Sequence, residues 1–220
     1  MSTAIFIDKR CFICEETGKY PEVGMMHLGA PAYLDGRPAD SHSSVLYMFI
    51  QQCPCCGYSA IDISKGNEQI VEIVKTEKYR LQAFSKEYPV TANRYLCWAM
   101  LQEKLGRINE AGLAALYASW VCDDEGKSAA QSESCRAAAI FCFERARVEA
   151  LSFGDNSTEE LLLLVDLARR NSDFERALNY CLELQKLSLT ENQQLTVNLQ
   201  IALAEDGDTL RHYVSEIYES

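Results

Sequence analysis

Two cysteine pairs near the N-terminus constrain the fold of this chain more than any other feature. Cys11 and Cys14 form one CxxC unit, and Cys53 and Cys56 form a second within the sequence Cys-Pro-Cys-Cys-Gly-Tyr. Two intervening residues allow a tight turn to direct both sulfur atoms of a pair at one ion, and four thiolates complete a tetrahedral site. The sequence therefore predicts a metal site formed by Cys11, Cys14, Cys53 and Cys56, with free thiols or disulfides as the alternative.

The predicted site has the character of a structural zinc centre. Four thiolates fill the coordination sphere, whereas a catalytic zinc keeps one position for water. Tetrahedral sulfur sites also suit iron, which is the less favoured metal here. Cys55 is the alternative fourth ligand, although the first and fourth positions of a CxxC turn point inward together. His27 and His42 lie between the two pairs and are expected to be exposed to solvent.

Residues 1–63 have the layout of a zinc ribbon. Residues 4–7 are a strand candidate before the first pair, and residues 15–44 are rich in glycine and proline and are expected to form a loop. Residues 45–50, Val-Leu-Tyr-Met-Phe-Ile, are expected to form a buried strand before the second pair. A structural metal contributes roughly 10–16 kcal/mol in small peptides, so it is expected to supply much of the folding free energy of this head.

Residues 64–220 have the pattern of a helical domain, in which Pro89 is the only proline. Asn67 is a candidate N-cap for a helix that ends near Phe84, and Thr91 is one for the helix that follows. Four further helix starts carry the capping-box pattern S/T-x-x-E/Q. They are Ser128–Gln131, Ser157–Glu160, Ser172–Glu175 and Thr190–Gln193. About eight helices with short connections are predicted between residues 67 and 218, which favours antiparallel neighbours.

An internal similarity supports a repeated helical hairpin. The segment 105–111 resembles the segment 171–177, and Ala111 and Ala177 at their ends are 66 residues apart. This spacing is close to two tetratricopeptide periods of about 34 residues. The predicted fold is therefore mainly α, with a small zinc-ribbon β head at the N-terminus followed by a tetratricopeptide-like stack of α-hairpins.

The composition and motifs disfavour two functional classes. The net charge is −11, and the head contains only four basic residues, Lys9, Arg10, Lys19 and Arg37, whereas a nucleic-acid binder needs a basic face. No phosphate-cradling glycine-rich loop, G-x-S-x-G or H-E-x-x-H sequence occurs, so no catalytic residue is predicted.

Several other residues are assigned to surface or core. The adjacent acids at 15–16, 123–125 and 159–160 are expected to be solvated, and Trp98 and Trp120 are expected to belong to the helical core. Five cysteines lie singly in helical patterns, where a reduced thiol packs as a small apolar group. They are Cys97, Cys122, Cys135, Cys142 and Cys181. With no signal peptide and no apolar run of about 20 residues, these features predict a protein of the reducing cytoplasm.

The combination of cysteine head and helices resembles a family of uncharacterised bacterial proteins with a zinc-ribbon-like or rubredoxin-like head and tetratricopeptide-like helices. The specific residues are the four cysteines of the predicted site with Gly57 and Tyr58, and the helical part matches by pattern. Cys55 departs from the family pattern, and Glu15 stands where rubredoxins usually have glycine. The resemblance implies a fold and no activity.

The sequence thus predicts a non-enzymatic, zinc-binding module for protein–protein interaction. Its head would be residues 1–63, and its helical domain, residues 64–220, would bind a peptide or another protein. A nucleic-acid-associated zinc ribbon and a rubredoxin-like electron carrier are the alternatives. No membrane partner is expected, and a nucleic-acid partner is disfavoured.

Overall fold

A computed structural model describes residues 3–25, 32–39 and 42–218. The described residues are mainly α-helical with a small β head at the N-terminus, which confirms the predicted fold class. The division into units at residues 1–63 and 64–220 stays a prediction. None of the helices in the described ranges is both long enough and apolar enough to cross a membrane.

Two short β-hairpins form the head, and each one holds a cysteine pair. Strand β1 (Thr3–Arg10) pairs antiparallel with β2 (Thr17–Met25), with Ile7 opposite Tyr20. Strand β3 (Gln51–Gln52) pairs antiparallel with β4 (Ser59–Ala60). The predicted strand at residues 4–7 is confirmed and is longer than expected. Residues 17–25 of the loop expected at 15–44 form strand β2, because they complete the hydrogen bonds of β1, and residues 26–31, 40 and 41 of that loop lie outside the described residues.

The strand predicted at residues 45–50 is wrong. Helix α1 (Ser43–Leu46) and a 3₁₀ turn (Tyr47–Phe49) occupy this segment. Leu46 and Ile50 are buried in the helical core, and the Tyr95 hydroxyl donates a hydrogen bond of 2.8 Å to the Leu46 carbonyl. Contact with the helices therefore determines the conformation, since a short apolar run does not by itself distinguish a strand from a buried helical turn.

Eight α-helices follow between residues 67 and 218, the number expected from the sequence. They are α2 (Glu68–Lys75), α3 (Glu77–Ala83), α4 (Val90–Lys104), α5 (Ile108–Glu125), α6 (Ala129–Val148), α7 (Ser157–Arg170), α8 (Phe174–Leu184) and α9 (Glu191–Glu205). A final 3₁₀ helix covers Val214–Tyr218. Consecutive helices from α4 to α9 pack against each other.

Two helix boundaries differ from the expectation. Asn67 caps α2 as predicted, but Thr76 adopts an extended conformation and its hydroxyl caps α3, so one expected helix becomes two. Helix α4 begins directly after Pro89, and Thr91 lies buried in its first turn. A proline that precedes a helix suits this position because its fixed φ is already helical.

Only one of the four predicted capping boxes forms, the pair Thr190 and Gln193 at α9. Asn156 and Asp173 cap α7 and α8 instead, because each offers a side-chain oxygen one residue from the predicted cap. Ser128 precedes α6 without a side-chain capping bond. The pattern therefore locates helix starts to within a residue but does not identify the capping atom.

The two similar segments adopt the same turn. The amide of Gly106 donates to the Glu103 carbonyl and the amide of Arg107 to Gln102, and the same bonds recur 66 residues later. Their equivalents are Ser172 to Arg169 and Asp173 to Ala168. Gly106 and Ser172 both have positive φ, 76° and 60°. The sequence similarity thus reflects a repeated helix–turn–helix connection between α4 and α5 and between α7 and α8.

A network of buried charges joins the segment 32–39 to the helices. Asp35 accepts from the Arg170 guanidinium at 2.9 Å, and Arg170 also donates to Asp123 at 2.6 Å. Arg37, whose side chain is 2% exposed, donates to Asp124 at 3.1 Å. The segment therefore crosses α5 and α7 through paired charges.

The expectation that the acids at 123–125 and 159–160 are all solvated is wrong. The Asp123 and Asp124 side chains are 14% and 17% exposed and pair with arginines. Glu160 is buried and accepts from the Phe153 amide at 2.8 Å. These carboxylates are buried because they pair with groups distant in sequence, which adjacency in the sequence does not reveal.

Candidate metal centre

The first cysteine pair lies in the turn between β1 and β2. The Glu15 amide donates to the Cys11 carbonyl at 2.9 Å, and the Cys11 amide donates to the Glu16 carbonyl at 2.9 Å. These bonds close a tight turn that places Cys11 and Cys14 on the same side. Glu15 has a φ of 64°, which is unusual for a residue with a side chain.

The second pair repeats this geometry between β3 and β4. The Gly57 amide donates to the Cys53 carbonyl at 2.9 Å, and the Cys53 amide donates to the Tyr58 carbonyl at 2.8 Å. Gly57 has a φ of 78°, and a Cβ added there would lie 2.7 Å from the Ala83 Cβ. The conformation favours glycine, and the close approach of α3 leaves no room for a side chain.

The structure brings all four predicted cysteines together. Their Sγ atoms lie within 4.8 Å of one another. The Sγ atoms of Cys11 and Cys56 are 3.7 Å apart, and those of Cys14 and Cys53 are 3.5 Å apart. A tetrahedral site with metal–sulfur bonds of about 2.3 Å has sulfur–sulfur edges of about 3.8 Å. The four cysteines therefore fit a tetrahedral metal ion and could hold one.

The alternative ligands lie outside this group. Cys55 is exposed to solvent and is not one of the four clustered cysteines. His42 is exposed, as expected, and belongs to no metal-competent group among the described residues. His27 lies outside the residues that the structure describes.

The pKa values of the Cys11, Cys14 and Cys56 thiols differ from their ordinary value in different directions. Burial raises the pKa of the Cys11 thiol to about 11, although the backbone amides of Cys14 and Ile13 oppose this shift. Burial raises the pKa of the Cys14 thiol, but hydrogen bonds from the Glu16 amide and the neighbouring thiols outweigh this effect and lower the pKa to about 7. Burial also raises the pKa of Cys56. Four thiolates at this separation repel one another, so a bound cation would offset the repulsion and stabilise the deprotonated thiols.

The elements around the site connect it to the first helices. Tyr79 of α3 accepts a hydrogen bond from the Ser59 amide at 3.0 Å and donates to the Gly57 carbonyl at 3.3 Å. Cys11 and Cys53 share a buried cluster with side chains of α2, α3 and α4. The members from these helices are Ile70, Val74, Tyr79, Ala83, Cys97 and Leu101.

The basic residues of the head are all paired with acids. Lys9 contacts Glu22 at 2.6 Å and Asp62 at 3.0 Å. Lys19 lies 3.4 Å from Asp8, Arg10 contacts Glu15, and Arg37 contacts Asp124. The four bases are therefore spread over separate ion pairs and do not form a basic face.

Sequence reasoning missed an apolar cleft of about 480 Å³ between helices α4 and α5 and five residues that precede them, Gly36, Pro38, Leu46, Phe49 and Ile61. Trp98 and Trp120 line this cleft. Trp120 is buried in agreement with the expectation, whereas Trp98 is only partly buried. The closely spaced aromatic residues of α4 and α5 were the available signal, but sequence does not show that their rings face a common space.

The comparisons with known proteins give one family. The model of DUF2225, described as an uncharacterized protein conserved in bacteria, matches residues 11–201. No curated protein and no solved structure matches the chain. The matched range begins at the first cysteine of the cluster and extends into α9.

Proposed function

The chain belongs to DUF2225, and we propose that it is a non-enzymatic interaction protein in which a structural metal fixes the head to a helical stack that binds another protein. One observation carries this proposal. Four cysteines from two hairpins converge within 4.8 Å, directly beside the helices α2 to α4. Four sulfur ligands fill a tetrahedral sphere, so the ion would serve folding and would have no position for a substrate.

The proposed metal is zinc. Its structural sites are commonly formed by four cysteines in paired turns of this kind. Iron in the same site would make the chain a rubredoxin-like electron carrier, and purified protein would then be red. A colourless preparation with one zinc per chain supports the structural role. The free, buried cysteines of α4, α5, α6 and α8 support action in a reducing compartment such as the cytoplasm.

The interaction role is supported by the helical arrangement. Consecutive pairing of α4 to α9 and the recurrence of one turn at 66 residues are typical of tetratricopeptide-like stacks. Such stacks bind partners along a continuous surface because each hairpin contacts only its neighbours. The nucleic-acid alternative gains no support, since the bases of the head are engaged by acids.

Site-specific photo-crosslinking in cells tests the proposal. A benzoylphenylalanine at Leu113, which lines the cleft, is expected to capture a discrete partner protein. The same group at Val148, which is 89% exposed on α6 and outside the cleft, is the matched control. Crosslinking at neither position, or equally at both, by a folded and metal-loaded protein would contradict a partner-binding surface at the cleft.

A further inference from the structure

Two adjoining clefts form one groove along the helices. The aromatic cleft, of about 480 Å³, is lined by five rings, those of Phe49, Tyr95, Trp98, Tyr117 and Trp120. The second cleft, of about 470 Å³, extends toward α7 and α9. The two clefts share four lining residues, Gly36, Leu113, Tyr117 and Trp120. We call the two clefts together the groove.

The charged side chains that line the groove are all carboxylates. Exposed Glu110 lines the aromatic cleft, and exposed Asp155 and Glu159 line the second. Among the described residues, no lysine, arginine or histidine lines either cleft. The chain outside the described residues contains no lysine or arginine, so it supplies no compensating charge of that kind. The groove therefore favours a positively charged occupant, and the net charge of −11 acts in the same direction.

The aromatic walls also favour cations. The rings of Tyr95 and Tyr117 are 5.6 Å apart, and those of Tyr117 and Trp120 are 5.1 Å apart. An ammonium or guanidinium group is attracted to the face of such rings. Two rings that line the groove, Trp120 and Tyr33, already make this contact with arginines that lie outside the lining. The Arg37 guanidinium lies 5.9 Å from the Trp120 ring centre, and that of Arg211 lies 4.4 Å from the Tyr33 ring centre.

The positions of the acids indicate a peptide more than a free cation. Glu110 lines the aromatic cleft, whereas Asp155 and Glu159 line the second cleft. A small organic cation would occupy one cleft only, whereas a segment with several basic side chains can pair with the acids of both clefts.

We propose that the groove binds a basic segment of a partner protein, with a lysine or arginine side chain among the aromatic rings. Neighbouring positive charges of the segment would lie toward Asp155 and Glu159. This inference rests on the proposed function, because it specifies the chemistry of the partner that the helical stack binds.

Tryptophan fluorescence of the metal-loaded full chain is a local probe, because Trp98 and Trp120 are its only two tryptophans and both line the aromatic cleft. The ligand is the blocked peptide Lys-Leu-Lys-Leu-Lys, and Glu-Leu-Glu-Leu-Glu is the control. We expect a saturable emission change with the basic peptide, a severalfold weaker affinity at 0.5 M salt, and no saturation with the acidic peptide. Equal binding of both peptides, or saturation by neither, would overturn the inference.

Paired variants test the charge and the ring. Glu110→Gln is expected to weaken the binding of the basic peptide at least about threefold. Glu133 is an exposed acid outside the groove, so Glu133→Gln is expected to leave the affinity unchanged. Trp98→Leu is expected to weaken the binding of the basic peptide, while circular dichroism shows an unchanged helical content. Equal effects of the two glutamate variants, or unaltered affinity in Trp98→Leu, would contradict the proposed contacts.

The crosslinking and peptide results, taken together, separate this inference from the proposed function. If crosslinking at Leu113 captures a partner that lacks a basic segment and the basic peptide does not bind, the inference fails and the interaction role stands. If no partner is captured and no peptide binds, both fail. Tetramethylammonium chloride that binds as tightly as the peptide would overturn the peptide assignment in favour of a small organic cation.

Discussion

Glu15 and Gly57 occupy the same position in the two cysteine turns, one residue after the second cysteine. Their φ angles are 64° and 78°, in a region that favours glycine. A residue with a side chain loses about 1–2 kcal/mol in this conformation. The first turn therefore retains local strain that the hydrogen bonds of the hairpin and the proposed metal must hold in place.

Replacement at these two positions is expected to have opposite effects. Glu15→Gly should raise the free energy of unfolding by up to about 1 kcal/mol, because relief of strain exceeds the entropy that glycine adds to the unfolded chain. Gly57→Ala should lower it by about 2 kcal/mol or more, since the new Cβ also meets Ala83 at 2.7 Å. Chemical denaturation measures both. A destabilised Glu15→Gly variant would show that the φ of this residue is not strained.

Serine variants distinguish the ligands from the neighbouring thiol. Cys56→Ser removes one of the four converging sulfur atoms and is expected to lose the metal and destabilise the head. Cys55→Ser changes an exposed thiol and is expected to retain one metal ion per chain. Native mass spectrometry of both variants measures the metal content. Retention in Cys56→Ser together with loss in Cys55→Ser would assign Cys55 as the ligand.

The Asp35 carboxyl is expected to make the free energy of unfolding depend on pH. Burial, assisted by Asp166 and opposed by Arg170, raises the pKa of Asp35 from 3.8 to about 6. Between these values the folded state binds more protons than the unfolded state, so this group's contribution to stability falls as pH rises. The stability of wild type minus that of Asp35→Asn is therefore expected to decrease from about pH 4 to pH 6. Denaturant titrations across this range measure the difference, and an increase would contradict the assignment.

At the scale of elements, helix α3 supports the second cysteine turn through Tyr79. Its hydroxyl bonds to both the Ser59 amide and the Gly57 carbonyl, and the side chain is fully buried. Tyr79→Phe leaves two buried backbone groups without this partner and is expected to cost about 1–3 kcal/mol. Thermal unfolding with the metal bound measures the loss. Unchanged stability would indicate that the hydroxyl does not support the turn.

Sequence patterns predicted an element correctly where the interactions that determine its conformation are between residues close in sequence. The cysteine turns and the ends of α4 and α9 follow from spacing and from glycines at Gly106 and Gly207, which have positive φ. Residues 45–50 were misassigned because their conformation depends on contact with Tyr95 and the rest of the core. Two of the three capping boxes that do not form, those predicted at Ser157 and Ser172, are replaced by an adjacent Asx residue that offers a competing oxygen.

At the scale of the whole molecule, the sequence allowed the cysteine cluster to be predicted, but not the buried charges or the groove. One CxxC pair supplies two of the four ligands that a structural zinc ion needs, so a second CxxC pair in the same chain is expected to supply the other two. Asp35 and Arg170 are 135 residues apart, and nothing in either neighbourhood specifies the other. The same holds for the aromatic cleft, whose rings come from the 3₁₀ turn Tyr47–Phe49 and from helices α4 and α5.

The proposed role of the head depends most on one metal ion held by four sulfur atoms from the two hairpins. X-ray absorption at the metal edge of the purified, metal-loaded chain measures this environment directly. We expect one ion per chain, with a shell of four sulfur atoms at about 2.3 Å. A first shell containing nitrogen or oxygen, or a folded chain that binds no metal in stoichiometric amount, would contradict a structural four-sulfur site.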